Sequence, residues 1–247
     1  MQFGIFGSAQ AKRGGPSDDS AVGFREFVDR NISAEKLGYK SSFVVEHHFT
    51  GFGQISATLN LLTWIAARTS TLRLGTAVLV LPWHNPVLLA EQIATLDVIS
   101  EGRFILAPAL GWRDFQFNAF EIPKTERLSR FSEVTEIMKL LWTEEKVNHT
   151  GKHFRLNDIP GGGKPLQKPY PKMYLASNQD SGVKRAARYA DGWLISSRAT
   201  LTTIKDQIPT YQAELDKQEK SGYISAWREM FIAETRLEAI EICRPHV

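Results

Sequence analysis

The 247-residue chain has one cysteine, Cys243, and this scarcity excludes a framework of intrachain disulfides. It has no apolar run of about 18 residues, and its N-terminus, MQFGIFG, lacks the basic and apolar regions of a signal peptide. A net charge of +3 without a long basic run gives no support for nucleic-acid binding. These absences predict a cytoplasmic protein that binds neither membranes nor nucleic acids.

The chain does contain a regular alternation of strand-like and helical segments. Nearly continuous apolar runs such as Leu72–Leu81 are typical of parallel strands that are covered on both faces. The predicted strands are Phe3–Phe6, Phe43–Glu46, Leu72–Leu81, Arg103–Ala109, Lys172–Ala176, Gly192–Ile195 and Glu229–Ala233. Helical spacing of apolar residues follows most of them, so we expect a parallel sheet with helices outside. Both a closed barrel and an open doubly wound sheet satisfy this pattern.

Two features bear on the choice of fold and on domain organisation. The GxGxxG fingerprint of dinucleotide-binding open sheets is missing after the first strand, which favours the barrel. Residues 143–171 are polar and rich in glycine and proline, and they interrupt the alternation. We therefore predict one domain over residues 1–247, with an insertion loop at 143–171.

The carboxyl ends of the strands are the expected site, because active sites of parallel barrels collect there. The second predicted strand leads into Glu46-His47-His48, and neighbours on a strand point to opposite sides. One histidine could therefore serve as a general acid or base near neutral pH. A metal site is less favoured, since neighbouring strand ends offer no matching ligands. The other strand ends are mostly small or hydroxylic, which either leaves room for a flat ligand or reflects ordinary turns.

The segment after the fifth predicted strand has two possible roles. Backbone N–H groups at a helix start, together with the hydroxyls of Ser177 and Ser181, would suit a phosphate. Alternatively, Asp180 or Ser181 is only the N-cap of that helix. Asp180 would also repel a phosphate if it faced one.

Four segments in order, EHHFTGFG, LRLGTAVLVLP, EGRFILAPALGWRDF and ASNQDSGVKRAARYADGW, resemble the bacterial luciferase-like flavin-dependent monooxygenases. The resemblance implies a TIM-type (β/α)8 barrel that lacks its eighth strand and helix in this chain. It implies an enzyme that uses reduced FMN, supplied by a separate flavin reductase, and molecular oxygen. The expected substrate is a small apolar aldehyde, ketone or similar molecule, and the expected assembly is a homodimer.

The resemblance also implies residue roles. His47 matches the active-site base, and Ala77–Val78 matches a non-prolyl cis peptide under the flavin ring. Ser177, Asn178 and Ser181 fall in the phosphate-binding loop. The residues expected to bind the cofactor are Glu46, Ala77, Val78, Ala109, Leu110, Ser177, Asn178, Ser181 and Arg127 or Arg130.

The chain departs from the family pattern at Ala109 and Leu110, where luciferase itself has a reactive cysteine and a phosphate-binding arginine. The missing cysteine argues against light emission, and the missing arginine requires Arg127, Arg130 or Lys184 to compensate. Family members are usually longer, and a barrel of seven strands leaves unpaired edges. If the chain is complete, we expect poor stability or obligate oligomerisation.

Two alternatives to the monooxygenase stay open. A coenzyme F420-dependent oxidoreductase shares the barrel and would transfer hydride without oxygen. A non-catalytic flavin-binding protein, similar to the shortened non-fluorescent flavoprotein of luminous bacteria, would need no base at His47. In each case the aromatic residues Trp83, Trp112, Phe115 and Phe117 could form an apolar substrate wall or pack in the core.

Overall fold

The computed structural model describes residues 1–9, 20–50 and 55–246. Strands alternate with helices along most of the chain, as the apolar pattern predicts. The strands are β1 (Gly4–Gly7), β2 (Ser41–Val44), β3 (Arg73–Thr76), β4 (Leu79–Val80), β5 (Phe104–Leu106), β6 (Pro108–Ala109), β7 (Lys146–Thr150), β8 (Arg155–Pro160), β9 (Lys172–Ala176), β10 (Gly192–Ile195) and β11 (Tyr223–Ala226). The helices are α1 (Ser20–Lys36), α2 (Thr58–Ala66), α3 (Pro86–Ile99), α4 (Asp114–Ala119), α5 (Arg127–Thr143), α6 (Asp180–Tyr189), α7 (Leu201–Asp216) and α8 (Arg236–Cys243).

Seven strands form one parallel sheet in the order β1-β2-β3-β5-β9-β10-β11. The sheet curls until its two edges approach each other. The ring of Phe6 in β1 stacks on Trp227, which directly follows β11, with ring centroids 4.1 Å apart. This is the wall of a TIM-type barrel with part of it missing, and it confirms the predicted fold class.

The central strands are buried on both faces, as expected for a parallel sheet between helices and a filled interior. Leu74 and Leu106 belong to the main cluster under the helices. Phe43, Ile105 and Tyr174 belong to a second cluster. Because alternate residues of a strand point to opposite faces, this second cluster fills the inside of the barrel wall.

The predicted third and fourth strands are each divided in two by the structure. The run Leu72–Leu81 gives β3 and β4 on either side of the Ala77–Val78 peptide, and Arg103–Ala109 gives β5 and β6. The short β4 and β6 pair with each other outside the main sheet. Apolar pattern could not reveal the division, because the residues on both sides of it are buried alike.

The predicted position of the seventh strand is wrong. Glu229–Ala233 lies outside any strand, and β11 at Tyr223–Ala226 pairs with β10 instead. The pattern misled because β11 is a largely exposed edge strand without an apolar run. The more apolar segment that follows leaves Met230 and Ile232 78% and 81% exposed.

The segment 143–171 is not a loop throughout, since β7 and β8 form an antiparallel hairpin within it. Glu133 of α5 fixes the turn of this hairpin. Its carboxylate accepts the backbone N–H groups of His153 at 3.0 Å and Phe154 at 2.7 Å. The hairpin is thereby attached to α5 on the outside of the barrel.

The strands of the main sheet run in one direction, so the loops after β2, β3, β5 and β9 meet at one edge of the barrel. Glu46, Ala77, Leu110 and Ser177 lie in or near these loops. No helix in the described ranges is both long enough and apolar enough to cross a bilayer.

Candidate active site

A cavity of about 520 Å³ lies at this carboxyl edge. Its volume falls in the ~300–1,000 Å³ range of small-molecule sites. Its lining joins residues that are far apart in sequence. The predicted site residues that line it are Glu46, His47, Ala77, Val78, Ala109, Leu110, Ser177 and Ser181.

Glu46 is a buried carboxylate in this lining and is only 5% exposed. Its Oε1 accepts hydrogen bonds from Nε2 of His84 at 2.9 Å and Nε2 of His48 at 3.2 Å. Its Oε2 accepts the backbone N–H of Val80 at 2.6 Å. Burial by itself raises the pKa of Glu46, but these donors outweigh it and lower the pKa below its usual value. The carboxylate is therefore ionised near neutral pH.

The two adjacent histidines separate, as expected for neighbours at a strand end. His47 lines the cavity. His48 instead donates to Glu46, and its backbone carbonyl accepts a hydrogen bond from Nε2 of Gln116 in α4 at 2.9 Å. Among the histidines that the structure describes, His47 is thus the one placed to act on a ligand in this cavity.

His84 belongs to this network and was missed at the sequence level. It stands in the WHN loop between Pro82 and Pro86, just after a 3₁₀ turn at Leu81–Trp83. Its contact with Glu46 spans 38 residues of chain. A histidine between two prolines at a strand end was the only available signal, and spacing along the chain gave no partner for it.

The Ala77–Val78 peptide bond is cis, as the resemblance implies. Backbone hydrogen bonds hold it from both sides. The N–H of Ala77 donates to the carbonyl of Val44 at 2.7 Å, and the N–H of Leu79 donates to that of Ala107 at 2.8 Å. With the bond from Val80 to Glu46, this peptide is fixed in the cavity wall by two neighbouring segments, residues 44–46 and the residue Ala107 between β5 and β6.

The turn from β9 into α6 supplies hydrogen-bond donors that can bind an anion, in contrast to the acceptor carboxylate of Glu46. Ser177, Ser181 and Gly182 line the cavity at the start of α6, where the helix dipole favours negative charge. A β-carbon at Gly182 would overlap Oγ of Ser177, so only glycine allows this close approach. The N-cap residue is Gln179, which corrects the expectation of Asp180 or Ser181.

Asp180 does not face this cavity. Its Oδ1 accepts a hydrogen bond from Nε2 of Gln207 in α7 at 3.0 Å, and Asp180 is not among the residues that line the cavity. Asn178 is also outside the cavity lining, and its Oδ1 accepts the backbone N–H of Ser196 at 3.4 Å.

The arginines in the cavity are not the expected ones. Arg127 donates to the carbonyl of Gly111 at 3.3 Å, and Arg130 pairs with Glu126 at 3.1 Å, so neither side chain reaches the lining. Arg185 of α6 and Arg113 line the cavity in their place. The resemblance to the family did not point to Arg185, because this residue lies one helical turn beyond the serine segment. Its neighbour Lys184 was expected as a compensating cation instead.

Three of the four aromatic residues take one of the two expected roles, and Phe115 takes neither. Trp83 and Trp112 line the cavity. Phe117 is fully buried and packs edge-on against Trp83, with ring centroids 5.4 Å apart. Phe115 is 46% exposed and lies outside the lining.

No group of three or more histidine, cysteine or acidic side chains is arranged to hold a metal ion in the described part of the chain. The cavity instead combines a histidine, a cis peptide held by hydrogen bonds and a corner that can bind an anion.

The sequence of the whole chain was compared with models of protein families. The family model described as luciferase-like monooxygenase matches residues 1–247. The chain belongs to the luciferase-like monooxygenase family.

Relatives of this luciferase-like chain act with different cofactors. Its fold superposes on the monooxygenase RslO1 from Streptomyces bottropensis with a TM-score of 0.88 and 27% identity, covering 99% of this chain and 76% of that one. The FMN complex of the oxygenating constituent of 3,6-diketocamphane monooxygenase from Pseudomonas putida superposes with a TM-score of 0.82 at 20% identity, covering 99% and 72%. An F420-dependent glucose-6-phosphate dehydrogenase from Kineococcus radiotolerans is 33% identical over 181 residues, 70% of this chain and 52% of that protein.

The chain spans between 52% and 66% of the length of the curated relatives it matches. Membership of the family covers oxidoreductases that use FMN and oxidoreductases that use F420. The choice between them for this luciferase-like protein depends on the chemistry of its own cavity.

Proposed function

We propose that the protein is an FMN-dependent monooxygenase that receives reduced FMN from a separate flavin reductase. Its reaction places one atom of molecular oxygen into a small apolar aldehyde, ketone or similar substrate and releases the other as water. The observation that carries the proposal is the single cavity that joins His47, the cis Ala77–Val78 peptide and the Ser177–Arg185 anion corner.

The residues present fit FMN. The hydroxyl of Ser181, the start of α6 and the guanidinium of Arg185 are donors suited to a terminal phosphate. The hydroxyl of Ser177 donates to the carbonyl of Gln179 at 3.2 Å and would turn from it to a bound phosphate. Arg185 would take the place of the phosphate-binding arginine that luciferase has at the position of Leu110. The small side chains of Ala77 and Ala109 leave room for a flat ring beside the cis peptide.

The remaining residues divide the chemistry. Bound reduced FMN would supply two electrons for the activation of oxygen. His47 would hold and transfer a proton through the imidazole that lines the cavity. Glu46 keeps His48, His84 and the Val80 backbone in place, so that the wall around the cis peptide stays rigid.

One anion corner favours FMN over coenzyme F420. FMN ends in a single phosphate, whereas F420 carries a longer anionic tail that would need several cationic partners. Two arginines line the cavity in the described residues, Arg113 and Arg185, and of these Arg185 is the one that shares α6 with Ser181. The F420-dependent oxidoreductase remains the second candidate, because a relative with 33% identity is an F420-dependent glucose-6-phosphate dehydrogenase.

Anaerobic titration of the protein with reduced FMN and with reduced F420, followed by admission of oxygen, tests the proposal. We expect tighter binding of reduced FMN, and oxygen uptake that depends on an added aldehyde or ketone. Preference for F420 with hydride transfer under anaerobic conditions would establish the second candidate. Binding of FMN without turnover of any substrate would instead identify a non-catalytic flavin-binding protein.

A further inference from the structure

We infer that Arg113 binds an anionic group of the substrate, so the substrate is an apolar aldehyde or ketone that also carries a carboxylate. The inference rests on the proposed function, because it assigns the second ligand of the same cavity. Arg113 and His47 both line that cavity.

The charges in the lining leave Arg113 available. Arg113 and Arg185 contribute two cations, and Glu46 is the one acidic residue of the lining in the described ranges. The Glu46 carboxylate already accepts three hydrogen bonds from within the protein. Asp114, the neighbour of Arg113, pairs with Lys124 at 2.9 Å instead. A cavity with this imbalance favours ligands that bring negative charge.

The two arginines come from different elements of the cavity wall. Arg185 lies on α6, one turn beyond Ser181, where the flavin phosphate is proposed to bind. Arg113 directly precedes α4, whose Gln116 donates to the backbone carbonyl of His48 at 2.9 Å. Through this bond the first turn of α4 is attached to the segment that carries the proposed base, and we therefore assign Arg113 to the reacting end of the cavity and Arg185 to the phosphate end.

The surroundings of Arg113 suit a carboxylate on an apolar body. Its guanidinium lies 4.8 Å from the ring centroid of Trp112 and 6.0 Å from that of Phe115. A guanidinium stacked on aromatic rings keeps its N–H edge available for a bidentate contact with a carboxylate. Leu128 and Phe131 of α5 add apolar surface to the same cavity.

Benzoate and benzamide test the inference, because they have the same shape and differ in charge. Each is titrated calorimetrically into the protein loaded with oxidised FMN, and into the protein without flavin. We expect benzoate to bind tighter by on the order of tenfold. Arg113→Gln should remove that preference, and Arg113→Lys should keep part of it, since lysine retains charge but not the planar fork.

Arg185→Gln is the matched control, with the affinity for FMN relative to riboflavin as its measure. We expect Arg185→Gln to reduce the preference for FMN and leave that for benzoate, and Arg113→Gln to do the reverse. Equal affinity for both probes, binding of neither, or a benzoate preference that survives Arg113→Gln would overturn the inference. Loss of the FMN preference in Arg113→Gln would also overturn it and assign Arg113 to the phosphate. A benzoate preference that needs Arg113 in a protein that binds no flavin would support the anion site while refuting the proposed function.

Discussion

At the scale of single residues, one histidine of the site can act on a ligand, and two other histidines hold the wall of the cavity in place. His47 lines the cavity, whereas His48 and His84 both donate to Glu46. Motif and position singled out His47 and Glu46, because functional side chains of a parallel barrel collect at strand ends, and both residues line the cavity. They did not single out His84 or Arg185, since the bond of His84 to Glu46 and the place of Arg185 in the cavity wall arise only in the folded chain.

His47→Ala separates catalysis from binding. Because His47 is proposed to transfer a proton, we expect the rate of substrate-dependent oxygen uptake to fall by about 10²- to 10⁴-fold. The affinity for reduced FMN should stay close to that of the unmodified protein. Anaerobic FMN titration and an oxygen electrode measure the two quantities. A variant with undiminished oxygenation would remove His47 from the mechanism.

Glu46→Gln tests the buried carboxylate. Glutamine offers one acceptor oxygen where His48, His84 and the Val80 N–H need a fully accepting group, so we expect a loss of about 3 kcal/mol in the free energy of unfolding. The folded state lowers the pKa of Glu46. The stabilisation is therefore present above the usual carboxyl pKa and is lost as the pH falls through the lowered one. Urea denaturation near neutral pH and at progressively lower pH measures the free energy of unfolding. The difference in this free energy between the unmodified protein and Glu46→Gln should shrink as the pH falls.

Glu133→Gln is the matched control for that substitution. Glu133 is also a buried carboxylate that accepts backbone N–H groups and pairs with a histidine, His149, at 3.1 Å. It does not line the cavity. Both variants should lose stability, but only Glu46→Gln should weaken flavin binding. Equal flavin affinity in the two variants would show that Glu46 is merely structural.

At the scale of elements, burial accounts for part of the outcome. β9 and β10 have the predicted bounds, because covered parallel strands carry a run of apolar sequence, whereas β2 begins and ends two residues earlier than predicted. The largely exposed β1 was still placed within one residue of its observed bounds. The exposed β11 was misplaced, and the hairpin β7–β8 was taken for a loop, since neither carries such a run. The division between β3 and β4 depends on the peptide at Ala77–Val78, which the family resemblance indicated and the apolar pattern did not.

Gly182→Ala tests the turn between β9 and α6. The added β-carbon would overlap Oγ of Ser177, so the hydroxyl or the first turn of α6 must shift. We expect affinity for FMN to fall by about tenfold, the scale of a lost hydrogen bond to a charged group, while riboflavin affinity changes little. Gly163→Ala is the control, because no atom lies within 4 Å of its β-carbon position. A parallel loss for riboflavin would mean that this turn does not bind the phosphate.

At the scale of the whole molecule, the described chain forms a barrel wall whose two edges are not joined by hydrogen bonds. β1 and β11 each pair on one side only, and the ring of Phe6 in β1 stacks on Trp227, the residue after β11. Phe6 is 45% exposed and Ile224 of β11 is 44% exposed. Exposed strand edges with apolar side chains are surfaces on which another chain can pair.

We therefore expect the 247 residues, studied as they stand, to be stabilised by self-association through these edges. If folded chains associate with one another, the midpoint temperature of unfolding rises as the protein concentration rises. Thermal unfolding over about a hundredfold range of concentration, with sedimentation at the same concentrations, measures this dependence. Ile224→Lys should weaken this dependence on concentration, because a charge on an edge strand opposes pairing. Leu201→Lys, at an exposed position of α7, is the control and should leave the dependence unchanged. A monomer whose midpoint is independent of concentration would show that the Phe6–Trp227 contact suffices to close the wall.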